Sequence, residues 1–241
     1  MKRFNLEELF KFLILLGFTF YFYYLLITNK LNLFVSPRII KYTIFTSILF
    51  SILSIYQFTK IFTIKRRNTK NFEYILMCLT LIIGFYAVQA ALTSNISDNK
   101  DLNNNFAVSY NKNSSTNKQQ VENLDTIIFT DENYLKTLAN ISGENREKYK
   151  EQKVVIDGFI YKHDTLKKDE FVISRLMMSC CAADSQIVGL ISKYSEASTL
   201  RKDDWFRVEG TLDFEDNNPI LLVNKLTSIS KPENFYVYPN F

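Results

Sequence analysis

Cys180-Cys181-Ala182-Ala183-Asp184 is the run in this 241-residue chain whose residue types and spacing could do chemistry. Thiolates bind Zn²⁺ or Cu⁺, and a carboxylate tolerates Zn²⁺. Along an unbroken strand, adjacent thiols point to opposite faces, so both reach one ion only where the strand ends. A turn through residues 182–185 then carries Asp184 back toward a thiol. Cys180, Cys181 and Asp184 still leave a tetrahedral site one ligand short, to be completed by water, His163 or a partner protein. The plainer alternative makes Cys180 and Cys181 small core hydrophobes and lets Asp184 cap a turn through backbone amides. Reversible thiol redox chemistry is a third reading. A direct bond between the two is disfavoured, because neighbouring Cα atoms lie about 3.8 Å apart and disulfides need at least about 4.4 Å.

Other chemistry-bearing signals are sparse. His163 is the single histidine and falls in a polar stretch between two strand patterns, where a solvated loop residue is the default. Trp205, beside Asp203-Asp204, reads first as a rim-packing aromatic, and Phe235-Tyr236-Val237-Tyr238 as a closing segment that packs on the domain. The chain has no Gly-rich phosphate loop, no G-x-S-x-G elbow and no H-E-x-x-H pair. These absences favour a non-enzymatic role. Three cysteines are too few for a disulfide framework, and Cys78 lies within an apolar stretch.

The elements that must position Cys180, Cys181 and Asp184 follow from periodicity. From residue 153 onward apolar residues recur with period two. Strands are expected at 153–161, 171–180, 187–193, 205–214 and 220–229. In the fourth, Phe206, Val208, Gly210, Leu212 and Phe214 share one face, and Arg207, Glu209, Thr211 and Asp213 the other. Residues 195–200 suit a short helix, and the acidic run Asp131-Glu132-Asn133 opens another that Gly143 ends. Five strands with a helical link after the third fit an OB-like five-stranded barrel, with a small β-sandwich as the alternative. Glycines 158, 189 and 210 fall where such barrels need a bulge or a sharp coil.

Upstream the solvent changes. Residues 12–29, 42–59 and 74–97 carry no Asp, Glu, Lys, Arg or His. About 20 apolar residues cross a hydrocarbon core roughly 30 Å thick, so three transmembrane helices are expected in the lipid bilayer. The expected organisation is a three-helix membrane region at 1–97, a flexible linker at 98–124 and an all-β domain at 125–241. The linker, rich in Asn, Ser, Lys and Gln, lacks the apolar residues to offset chain entropy. Lys2, Arg3 and Lys11 flank the first span and Lys60, Lys65, Arg66, Arg67 and Lys70 follow the second. Only Lys30, Arg38 and Lys41 lie between them. That bias places the N-terminus in the cytoplasm and the β domain outside, in a multi-pass cell-membrane protein. No small-x-small site follows the first span, which argues against a cleaved leader. Residues 1–97 carry 11 Lys+Arg against 3 Asp+Glu, and the remainder 18 against 22. A slightly acidic domain lacks the electrostatic footprint of a nucleic-acid partner.

Taken together, several segments resemble the YcgQ-like family of permease subunits, proteins built around a domain of unknown function. The matching residues are Gly17-Phe18-Thr19-Phe20, Tyr56-Gln57, Asp157-Gly158-Phe159-Ile160-Tyr161 and the Cys180-Cys181-Ala182-Ala183-Asp184 run. Trp205-x-x-Val208-x-Gly210 and the closing Pro232…Tyr236-Val237-Tyr238 complete the pattern. The resemblance implies pairing with a multi-span permease in the same membrane. Relatives often carry a His-rich loop between the second and third spans, whereas here that loop, 63–71, has neither histidine nor cysteine. The expectation is therefore a non-enzymatic accessory subunit of a transport complex with an outward β domain. The rival is an extracytoplasmic zinc- or copper-binding protein using Cys180, Cys181 and Asp184.

Overall fold

A computed structural model describes residues 5–62, 72–93, 126–143, 146–216 and 218–239. The chain divides into two compact units, residues 1–94 and 95–241. The expected linker at 98–124 and the loop at 63–71 lie outside the described residues.

The first unit is helical. Helix α1 spans Leu6–Ile27, α2 spans Pro37–Lys60 and α3 spans Phe72–Thr93. Pro37 sits in the first turn of α2, where its missing N–H costs nothing. α1 packs against both other helices. Its small Gly17 lets Leu81 approach, and Gly84 of α3 admits the Tyr21 ring, whose hydroxyl donates to the Gly84 carbonyl at 3.1 Å. Phe50 of α2 stacks with Phe18 and Phe22. The hydroxyls of Thr19 and Ser54 meet at 3.3 Å.

This unit buries serines beside a few apolar residues such as Leu25 and Val88, and leaves most of its large apolar side chains exposed. Ser47 is 1% exposed, whereas Phe45, two residues away, is 68% exposed. Ser47 satisfies its hydroxyl by donating to the Thr43 carbonyl. Water would favour the opposite arrangement; hydrocarbon outside and hydrogen-bonded polar groups inside favour this one. Two helical segments, Glu8–Ile27 and Pro37–Lys60, are long and apolar enough to cross a membrane. The comparable apolar segment of α3 among the described residues, Tyr74–Val88, is shorter. The expectation of three spans is thus met by two helices of membrane length.

The second unit is a closed five-stranded barrel with additions. Its elements are β1 (Thr126–Ile128), α4 (Tyr134–Ser142), β2 (Lys153–Tyr161), β3 (Glu170–Met177), β4 (Gln186–Lys193), β5 (Trp205–Glu215), β6 (Asn218–Ser228) and β7 (Tyr236–Val237). β2 pairs antiparallel with β3 and with β5, β3 with β4, and β5 with β6. Closure comes from a parallel pairing of β4 with β6, Ile191 opposite Ile220. Numbering the five barrel strands in chain order gives the circuit 1-2-3-5-4, the Greek-key arrangement of an OB-type barrel rather than a sandwich. A closed sheet leaves no long free edge for aggregation.

The interior is filled by Val154, Ile156, Ile160, Phe171, Ile173, Leu190, Val208, Leu212 and Leu221, all fully or almost fully buried. α4 adds Tyr134, Leu135, Leu138 and Ile141 to the same core. Two glycines let the strands coil tightly around β3. A Cβ on Gly189 would stand 2.1 Å from the Ile173 carbonyl oxygen, and one on Gly158 would stand 2.5 Å from that of Ser174. A bulge between Glu209 and Gly210 adds the remaining curvature.

Three local expectations need correction. The second barrel strand stops at Met177, not Cys180: after the Met178 N–H donates to the Val237 carbonyl, the amides of Ser179 and Cys180 turn to Asp184. The acidic run precedes α4 instead of forming its first turn: the Asn133 side chain accepts the Thr130 N–H at 2.7 Å and donates to the Ile128 carbonyl. The helix expected at 195–200 is one 3₁₀ turn, Ala197–Thr199. β1 and β7 are only three and two residues long, too short to show a period.

Candidate functional site

The end of β3 decides the fate of the cysteine pair. Once the ladder stops, Asp184 folds back over a single 3₁₀ turn, Ala182–Asp184. Its two carboxylate oxygens accept the backbone N–H groups of Cys180 (2.7 Å) and Ser179 (3.2 Å). This is the amide-capping role that a short acidic side chain supplies in turns. Cys180 is exposed and Cys181 half-exposed, so the reading of both as core hydrophobes does not hold.

The loop brings all three expected residues together. The two Sγ atoms lie 3.7 Å apart, and the ligand atoms of Cys180, Cys181 and Asp184 all fall within 4.8 Å of one another. Two thiolates on one tetrahedral Zn²⁺ sit about 3.8 Å apart, given Zn–S bonds of about 2.3 Å. The thiol pair therefore has the spacing of two zinc ligands, and the three residues form a group that could hold a metal ion. It supplies three ligands. His163 does not supply a fourth: it belongs to the β2–β3 loop, at the other end of β3, roughly 25 Å away along the strand. Its Nδ1 accepts from the Thr165 N–H instead.

Electrostatics oppose a reactive thiol. The Asp184 carboxylate, and next the Cys181 thiol, push the Cys180 pKa up to about 11. For Asp184, partial burial is the largest single influence and pulls upward. The Cys180 thiol and the amides of Cys180, Ser179 and Cys181 together outweigh it and lower the carboxyl pKa. Redox-active cysteines have depressed pKa values, so Cys180 lacks the signature of an oxidoreductase nucleophile. At pH 7.5, iodoacetamide should modify Cys180 roughly a hundredfold more slowly than an unstructured cysteine, because the thiolate is scarcer. Asp184→Asn should raise that rate at least about tenfold. Peptide mapping of the labelled, folded protein checks both, and an Asp184→Asn rate equal to wild type would contradict this account.

Residue-pattern reasoning overlooked two further groups. Arg175 lies on β3 at 4% exposure, its Nη2 donating to Asp131 (2.7 Å) and to the Asn234 carbonyl (3.2 Å), with the guanidinium 5.3 Å from the Trp205 ring centre. Within β3 it appeared as an ordinary alternating charge. The second is a basic pocket at the β2–β3 loop, signalled by Lys162-His163 and Lys167-Lys168 but completed by distant residues. Trp205 is buried against Phe159 at 5.8 Å and Arg175, a packing residue as expected.

The chain combines a helical unit, two of whose helices are long and apolar enough to cross a membrane, with a closed five-stranded barrel that has its own core. Residues 10–103 match the DUF1980 N-terminal domain and residues 105–239 the DUF1980 C-terminal domain. The chain belongs to this family. It is also 28% identical over 124 residues to UPF0703 protein YcgQ of Bacillus subtilis (strain 168). That match covers 48% of this chain and 42% of YcgQ, so the chain spans less than half of that relative's length.

Proposed function

We propose that the protein is a non-enzymatic accessory subunit of a membrane transport complex, anchored by its helices and presenting the barrel at the extracytoplasmic face. The observation that carries this reading is the apolar outer surface of the helical unit. Large apolar side chains such as Ile27, Tyr42, Phe45, Ile55 and Tyr86 face outward. Thr19 and Ser54 join α1 to α2 inside, and Ser47 bonds back within α2. Such a surface suits lipid and the helices of a multi-span permease. In this reading α3 is a third span and the N-terminus is cytoplasmic, in keeping with the Lys and Arg bias of the flanking loops. The absence of enzyme motifs in the sequence and the raised Cys180 pKa support a binding or scaffolding role.

Mild detergent extraction of the tagged full chain, with unbiased identification of what co-purifies, tests the reading. A stoichiometric multi-span membrane protein is the expected result; recovery of the chain alone after cross-linking in intact membranes would remove it. Protease added to intact protoplasts should trim the barrel, and the opposite sidedness would overturn the orientation.

A second reading is favoured by one observation, the 3.7 Å thiol spacing beside Asp184. In this reading the barrel binds zinc or copper through Cys180, Cys181 and Asp184, and binding displaces the thiol protons. Reduced full-length protein would then hold about one equivalent of metal, lost in Cys181→Ala, by elemental analysis.

A further inference from the structure

We infer that the pocket between the β2–β3 loop and the β4–β5 connection is a binding site for a phosphate-bearing anion, formed by Lys162, His163, Lys168 and Lys202. It is separate from the cysteine loop and independent of the transport reading. The pocket holds about 370 Å³, within the roughly 300–1,000 Å³ of small-ligand sites. That volume exceeds a lone ion and suits a phosphate ester of a small alcohol.

The walls are built before any ligand arrives. In the β2–β3 loop two successive turns close through Leu166 N–H to His163 carbonyl (3.1 Å) and Glu170 N–H to Lys167 carbonyl (3.0 Å). From the loop, Lys162 Nζ reaches across to the carbonyls of Ser198 (3.2 Å) and Leu200 (2.6 Å), pinning the β4–β5 connection. An ammonium has three N–H donors, so one remains for a ligand. Thr165 engages His163 Nδ1, through its Oγ1 at 2.8 Å and its N–H at 3.3 Å, so the ring's other nitrogen, Nε2, is the one left to meet a ligand.

Charge in the pocket is not balanced from within. Lys167 is neutralised by Glu170 and Glu215. Asp164 is the remaining carboxylate in the lining, against the ammoniums of Lys162, Lys168 and Lys202. Burial, and then the charge of Lys202, lower the Lys162 pKa, as expected where like charges gather without a counter-ion. This positive concavity interrupts a domain, residues 125–241, whose sequence carries 15 Lys+Arg against 19 Asp+Glu. A phosphate group, with several acceptor oxygens and up to two charges, matches a set of donors with no acceptor role.

A soluble phosphate ester and the headgroup of an anionic lipid share this chemistry, and the experiment separates them. The full chain is reconstituted in phosphatidylcholine nanodiscs. It is titrated with glycerol 1-phosphate by calorimetry and challenged with phosphatidylglycerol vesicles by co-sedimentation. Saturable binding in at least one arm is expected. Calorimetric binding identifies the free ester; vesicle binding alone identifies the headgroup. The Lys168→Ala/Lys202→Ala double variant should weaken it roughly tenfold, since each exposed lysine supplies one charged contact. Lys168→Arg/Lys202→Arg should retain it, and Lys225→Ala, on β6, should leave it unchanged. Both lysines are exposed and outside the core, so the double variant should fold. No binding in either arm, or wild-type binding by the alanine double variant, overturns the proposal.

Discussion

Gly189→Ala should destabilise the barrel by about 3 kcal/mol or more, a large share of the roughly 5–15 kcal/mol that holds a domain folded. The cause is steric and specific. The new methyl would stand 2.1 Å from the Ile173 carbonyl oxygen, and its next neighbours are the Ile173 carbonyl carbon and the Ser174 Cα, also backbone. No flexible side chain can yield. Gly189 lies opposite Ser174 in the β3–β4 ladder, so relief requires separating two strands in the middle of a closed sheet. Relaxing one pair in a barrel strains the others, because strand number, tilt and register are linked. Urea-dependent pulse proteolysis of the detergent-purified chain measures the change. Gly143→Ala is the control: it lies at the end of α4, with a nearest approach of 3.2 Å, and should cost far less. Equal midpoints for Gly189→Ala and wild type would show that the strands are not packed as closely as described.

Arg175→Ala should cost about 3 kcal/mol, the range for emptying a long buried side chain. Arg175 holds four parts of the fold to one point. It extends from β3, bonds Asp131 ahead of α4, bonds the carbonyl of Asn234 before β7 and lies over Trp205 at the start of β5. Truncation empties that volume, strips the indole of its cation and leaves the Asn234 carbonyl without this donor. Arg175→Met should recover most of the loss. It refills the volume and removes the buried charge, while Asp131, largely exposed, is hydrated when its partner leaves. Arg175→Lys should fare worse than Met: it keeps the charge but loses the planar fork that spans Asp131 and Asn234. If Lys matched wild type and Met did not, charge alone would be the stabilising factor. Thermal melts of the three variants decide between these orderings.

The barrel was readable because its strands alternate. β2 has the boundaries expected from the period, and β5 differs by one residue, since Val208, Leu212 and their neighbours face a core on one side only. The cysteine loop was half readable. Residue types point to Asp184 as a turn cap or as a ligand beside the thiols; the cap is formed, and the three residues lie close together. What no local pattern could show is where β3 ends, since that depends on how far β4 and the distant β7 pair with it. Arg175 and the lysine pocket stayed hidden for the same reason. Their partners, Asp131, Asn234, Ser198 and Lys202, are brought near by topology, not by spacing. On the membrane side, uncharged length located the helices. Which serines turn inward depended on packing against α1.

The parallel β4–β6 closure has a consequence for synthesis. β6 is the last of the five strands to leave the ribosome, and it alone joins β4 to β5. Until about residue 222 emerges, the nascent sheet has two bare margins, one on β4 and one on β5. Those margins offer unsatisfied amides and apolar flanks to any neighbouring chain. A chain cut just after Glu215 therefore lacks the closing strand and is sticky and protease-sensitive, whereas one that includes Ser228 carries every strand of the closed circuit.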